Sequence, residues 1–138
     1  MQLEHIAYLS KATPGLAHAD MDRILEQSRL NNARLRITGH LQCHGGEFFQ
    51  VLEGTPEALD ALLEKLMHDT RHHDLRVLYR EPLARRNFAG WSMGYGPCHP
   101  IPGRDTILTR LQRLRDAAPC SANQALTCFF ALLAAPAH

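Results

Sequence analysis

Between Glu47 and Glu53 the chain reads Glu-Phe-Phe-Gln-Val-Leu-Glu, which places Phe48 and Leu52 on one face of an extended strand and Phe49 and Val51 on the other. Successive strand side chains point to opposite faces, so apolar residues of both parities demand a packed layer on each side. That requirement implies a central strand covered on both sides. The preceding segment obeys a different rule. Leu35, Ile37, Gly39, Leu41 and Cys43 alternate with Arg36, Thr38, His40 and Gln42, the period of a half-exposed strand. Gly45 and Gly46 then supply a hairpin turn into the central strand.

The remaining elements supply the layers. Leu3 to Ser10 is short, apolar and bounded by Thr13, Pro14 and Gly15, as a strand would be. From Asp20 to Asn32, the residues Met21, Ile24, Leu25 and Ser28 recur at helical spacing and give one inward face, which Asn31 and Asn32 continue. Thr55 followed by Pro56 is an N-cap with proline at the first helical position, and Leu59, Leu62, Leu63 and Leu66 form the buried stripe of a helix running to about Asp69. Leu75 to Arg80 reads as a strand and Phe88 to Met93 as a further one. The order is βαββαββ, an α+β chain of the ferredoxin-like kind, with two helices on one face of a mainly antiparallel sheet.

A proline and glycine cluster from Gly94 to Gly103 closes that unit and divides the chain into 1–97 and a helical extension, 98–138. In the extension, Asp105 to Asp116 carries Ile107, Leu108, Leu111 and Leu114 on one side, with Arg110, Arg113 and Arg115 mostly elsewhere. Ser121 and Gln124 form a capping box before a final apolar run. These two helices are expected to cover the free face of the sheet, to mediate self-association, or to meet an effector.

With 138 residues the chain has the length of one domain, long enough to bury a core without disulfides. Its formal charge of +1 and scattered arginines lack the basic stripe that nucleic-acid binding needs. Cys43, Cys98, Cys120 and Cys128 stand too far apart for a C-x-x-C pair, which fits reduced thiols and a cytoplasmic location. Glu4, His5 and Ser10 interrupt any signal-peptide core, and the apolar run 125–135 is about half of what a membrane span requires.

Polar side chains on faces that should be apolar are the unusual feature. Asn31 and Asn32 lie on the inward helical face, Gln50 between Phe48 and Leu52, and Tyr8 beside Ile6 on the first strand. An unpaired buried amide costs about 1 to 3 kcal/mol, so each needs a partner. Any one of them can be satisfied by neighbouring protein groups. Four together point to a planar, polar ligand.

The run Asn31-Asn32-Ala-Arg-Leu-Arg-Ile37-Thr38-Gly39, then Phe48-Phe49-Gln50-Val51-Leu52-Glu53-Gly54, then Asp69-Thr70-Arg71-His72 and Phe88-Ala-Gly-Trp91-Ser92-Met93, with Tyr8 in the first strand, resembles the BLUF family of flavin-based blue-light sensors. The likeness covers about residues 2–95. It implies non-covalent FAD between the two helices. Asn31 and Asn32 would then bond the polar ring edge, and Ile24 and Leu66 would pack on the ring. Lys65 stands where the family usually has a basic residue near the phosphates, with Asp69 and Arg71 as further candidates there and Ser28 as an assisting hydroxyl. The resemblance also implies that Tyr8 gives up an electron and a proton in light, while Gln50 reverses its hydrogen bonding by rotation or by tautomerisation. Trp91 and Met93 share a strand parity and would relay the change. No enzymatic step is implied. The expected assembly is a homo-oligomer that signals to an effector protein. Arg34, Arg36 and Leu30 depart from the family's pattern around the first helix.

Two other motifs define alternatives. Gly90-Trp91-Ser92-Met93-Gly94 fits G-x-S-x-G but lacks the strand, turn and helix of a nucleophile elbow, and Pro97, Pro100 and Pro102 follow it. His68 and His72 would share a metal-binding helix face only if the helix continued that far. A small hydrolase using Ser92 or that histidine pair, and a flavin-free interaction module, are the competing readings.

Overall fold

The structure is a computed structural model that describes residues 2–13, 18–44, 47–90, 94–96, 112–116 and 119–134. Its elements are β1 (Leu3–Ala12), α1 (His18–Leu35), β2 (Thr38–His44), β3 (Glu47–Gly54), α2 (Pro56–Met67), β4 (His72–Leu83), β5 (Gly94–Gly96), a helical segment α3 (112–116) and α4 (Ala122–Ala134). The strands form one sheet in the order β4-β1-β3-β2-β5, antiparallel except for the parallel pair β2 and β5. This is the expected ferredoxin-like α+β architecture.

Strand β3 is buried from Phe48 to Gly54, as apolar residues of both parities require. On one face Ile6, Tyr8, Leu41, Phe48 and Leu52 pack with Leu25 of α1 and Leu59 and Leu62 of α2. On the other, Ala7, Leu9, Phe49, Val51, Leu78 and Tyr79 pack with Leu114 of α3 and with Ala122, Ala125 and Phe129 of α4. The tail helices therefore cover the second face, as expected. Gly39 leaves room for the Val51 carbonyl between β2 and β3, because a Cβ there would lie 2.4 Å from its oxygen.

Local chemistry explains the element ends. Thr55 caps α2, its hydroxyl accepting from the Ala58 N–H at 3.3 Å, and Pro56 follows. Helix α1 ends with Arg36 in the left-handed conformation, φ 56°. Bonds from Ile37 N–H to Asn32 O (2.8 Å) and from Arg36 N–H to Ala33 O (3.3 Å) complete a Schellman motif.

Five expectations change. Strand β2 is not half-exposed: His40 and Gln42 are buried because Phe129 of α4 and Phe88 lie over His40, with ring centroids 5.6 and 5.7 Å away. Leu35 belongs to α1 rather than to that strand, and α2 stops at Met67, short of Asp69. Of the strand expected at Phe88–Met93, Phe88 to Gly90 form a bend and turn, with φ 87° at Gly90, while 91–93 lie outside the described residues; a short strand is described at Gly94–Gly96. The Phe88 N–H bonds the Glu53 carboxylate instead of a strand partner. Arg115, placed by the sequence away from the apolar stripe, is buried and pairs with Glu47 at 2.7 Å. The Gly45-Gly46 turn and most of the helix expected at 105–116 lie outside the described residues.

Candidate functional site

Helices α1 and α2 cross the same face of the sheet, and between them lies a cavity of about 400 Å³. Its floor is Tyr8 of β1, Leu41 of β2, and Phe48 and Gln50 of β3. Ile24, Gln27, Ser28 and Asn31 of α1 form one wall, and Leu62, Lys65 and Leu66 of α2 the other. His68, Asp69, Arg71 and His72, at and beyond the end of α2, close one side.

Tyr8 and Gln50 meet because the antiparallel register sets them directly opposite each other on β1 and β3. Cross-strand partners on one face have adjacent Cβ atoms, and here the Tyr8 hydroxyl donates to Gln50 Oε1. Both are nearly inaccessible, at 3% and 5% exposure. Burial, with the nearby charge of Asp69 adding to it, pushes the Tyr8 phenol well above its ordinary range. The hydroxyl therefore keeps its proton throughout the physiological pH range.

The side beyond α2 is braced by charge. Asp69 accepts from the Arg71 backbone N–H at 2.9 Å and from its guanidinium, whose Nη2 lies 2.6 Å from Oδ2. Those bonds hold the Asp69 carboxyl below the usual carboxylate range against the opposing effect of burial. Arg71 Nη2 also reaches Gln27 Oε1 at 3.3 Å, tying this loop to α1. The Thr13 hydroxyl donates to Thr70 O at 2.6 Å and the Thr13 N–H to Arg71 O at 3.0 Å, which fixes the loop to the end of β1. Lys65 is exposed on the α2 wall.

Of the residues singled out in the sequence, Tyr8, Ile24, Ser28, Asn31, Gln50, Lys65, Leu66, Asp69 and Arg71 all line this cavity. Asn32 is buried under α1 at 1% exposure, is not part of the lining, and contributes its backbone carbonyl to the helix terminus. Trp91, Ser92 and Met93 lie outside the described residues. His68 and His72 do not share a helix face: α2 has ended, His68 Nδ1 lies 2.9 Å from Glu64 O, and His72 Nε2 lies 2.7 Å from Leu66 O at the start of β4. Among the described residues no group of three or more His, Cys, Asp or Glu is arranged to hold a metal ion.

Sequence reasoning missed Gln27 and the cavity-facing side of His72. Gln27 was findable, three residues beyond Ile24 on the same helical face. His72 was not, since its orientation depends on where α2 stops. The opposite face of the sheet holds polar groups that were also missed. There the Tyr79 hydroxyl lies 3.2 Å from His5 Nδ1, and burial pushes the His40 imidazole down to about 4.

The comparisons with known proteins agree with this geometry. The family model described as BLUF, sensors of blue-light using FAD, matches residues 3–94. The beta subunit of photoactivated adenylate cyclase from Euglena longa is 34% identical over 92 residues, 66% of this chain and 11% of that protein. The chain thus spans about a tenth of the length of that relative. A solved bacterial light-regulated adenylyl cyclase superposes with a TM-score of 0.71 at 31% identity, over 83% of this chain and 34% of that one. The dark-state structure of BlrB, a BLUF protein, gives a TM-score of 0.75 at 28% identity, over 96% of this chain and 95% of that one. Among the described residues no helix is long and apolar enough to cross a membrane. The order of strands and helices and the family match over residues 3–94 lead to one conclusion: the chain belongs to the BLUF family of blue-light sensors that use FAD.

Proposed function

We propose that FAD occupies the cavity between α1 and α2, with Tyr8 and Gln50 as the photoactive pair. The cavity fits the group. Ile24, Leu62 and Leu66 offer apolar walls for a flat ring, while Asn31 and Gln50 bring amides, each able to donate and accept, to its polar edge. Asn32, buried in the same turn of α1, supports that edge from within the helix. Lys65 and Arg71 supply positive charge for the phosphates, and Asp69 orients the Arg71 guanidinium through its bidentate contact. Ser28 adds a hydroxyl on the α1 wall.

Bound FAD supplies the blue absorption and, once excited, the oxidising power. Tyr8 is placed to give up an electron while its O–H proton moves toward Gln50 Oε1, the acceptor already in contact with it. Gln50 carries Oε1 and Nε2 on one terminal group, so rotation or tautomerisation reverses what it presents on either side. With FAD bound, the reversed Gln50 amide would present a different group to the polar edge of the ring, and the electron and proton taken from Tyr8 would return to it as the dark arrangement recovers. The single observation carrying this reading is the buried Tyr8 to Gln50 hydrogen bond on the cavity floor.

The chain itself is read as non-enzymatic and cytoplasmic, with 1–97 as the sensor and 98–138 as the output element. Trp91 and Met93 pass the change outward. The output is contact with an effector protein or with further copies of this chain. Adding FAD to the apoprotein tests the cofactor assignment directly: a bound flavin spectrum in the intact chain, and weakened retention in Asn31→Ala, support it. Failure of the intact chain to bind FAD sinks it.

A further inference from the structure

Glu53 is fully buried, and the cavity chemistry does not use it. It stands at the end of β3, three residues beyond Gln50 and of opposite parity, so the two side chains project from opposite faces of one strand. Its Oε1 accepts from the Thr38 hydroxyl at 2.9 Å and from the Phe88 N–H at 3.0 Å, and its Oε2 accepts from the Asn87 N–H at 2.6 Å. The adjoining Arg86 donates to the Glu53 carbonyl at 2.9 Å and to Thr38 Oγ1 at 2.8 Å. Three successive residues of the segment after β4 are thus fastened to the end of the strand that carries Gln50.

Those bonds also set a side chain on the far face. The Phe88 ring is buried, with its centroid 5.8 Å from that of Phe129 on α4 and 5.7 Å from that of His40. We infer that Glu53 is a positioning residue that couples β3 at Gln50 to α4 by way of the Phe88 backbone and ring. Hydrogen bonds to a carboxylate are short and directional, and a close-packed interior passes small displacements on rather than absorbing them. The route runs entirely through contacts among described residues. It rests on the proposed photochemistry of Gln50 and adds a specific path from it to the tail.

Spatial continuity alone does not show coupling, so the test must read both ends. Hydrogen exchange of residues 122–134 is compared in darkness and under blue light, in the FAD-loaded full chain and in Glu53→Gln and Phe88→Leu, with the absorption shift recorded in parallel. Glu53→Gln replaces one acceptor oxygen by a donor facing an N–H; Phe88→Leu keeps every Glu53 bond and removes the ring. The expected result is a normal absorption shift in both variants, with the light-minus-dark exchange difference in α4 reduced about threefold or more. A merely structural role would change dark-state exchange and leave that difference intact. If both variants retain the full difference, or if the shifting wild-type chain shows none, the inference is overturned. If Glu53→Gln fails to hold FAD, Phe88→Leu decides alone. A wild-type chain that binds FAD and shows no absorption shift overturns the photochemical reading first, and the inference with it.

Discussion

At the scale of single residues, Tyr8 and Gln50 stand out as buried polar side chains on the cavity floor. Tyr8 and Gln50 each broke the pattern of their strand, and the register that faces them across β1 and β3 explains why neither is an isolated penalty. Tyr8→Phe should leave FAD bound and remove the light-induced shift. It should also lower unfolding stability by about 1 to 3 kcal/mol in denaturant titrations, since Gln50 Oε1 loses its donor in a buried setting. Glu53 and His40 were illegible for the opposite reason. A glutamate at a strand end and a histidine in an alternating strand look solvated until the layer above them is known. His40 gives a pH prediction. Burial lowers its folded pKa to about 4 from 6.5, so as pH falls the unfolded chain takes up the proton first. The stability contributed by neutral His40 is full above 6.5 and is lost progressively down to about 4. Denaturation midpoints measured across that window should fall more steeply for the wild type than for His40→Phe; equal slopes would remove His40 as the cause.

At the scale of elements, periodicity located most strands and helices, and tertiary contacts set their ends. The N-cap of α2 was readable because Thr55 and Pro56 act within one helical turn. The end of α1 was not, because it depends on Arg36 adopting a left-handed conformation that a bulky residue rarely takes. Arg36→Gly should therefore leave the fold unchanged and raise the thermal midpoint modestly, provided the Arg86 bond to the residue 36 carbonyl persists. The turn at Phe88 to Gly90 was read as strand because its apolar residues fit that pattern, whereas Glu53 had captured the backbone N–H groups a ladder would use. The loop after α2 has a separate role at the cavity. Arg71→Ala removes its link to Asp69 and Gln27 together with a positive charge, and should weaken FAD retention about tenfold in equilibrium titration while leaving the size of the light-induced shift unaltered.

For the whole molecule, the amphipathic and apolar tail segments were readable as helices needing a surface, and the doubly apolar β3 as a surface needing a cover. Joining the two gave the architecture. What could not be read was how firmly the tail is held, since the ion pair between buried Arg115 and half-buried Glu47 joins α3 to the sheet across a long stretch of chain. Phe129 touches Phe49, Phe88 and His40, and Phe129→Ala should cost roughly 3 to 5 kcal/mol of stability in chemical denaturation. Removing α3 and α4 altogether would expose Leu9, Phe49, Val51 and Leu78, so the truncated chain should aggregate or lose its thermal transition rather than persist as a free sensor. The central claim is that light acts through one buried glutamine. Its most direct measurement is the visible spectrum of the FAD-loaded chain before and after a blue flash, followed in darkness, beside Gln50→Leu. A small red shift that decays in the dark and is absent in the variant is the predicted result; an identical reversible shift in Gln50→Leu, or none in the wild type, would contradict it.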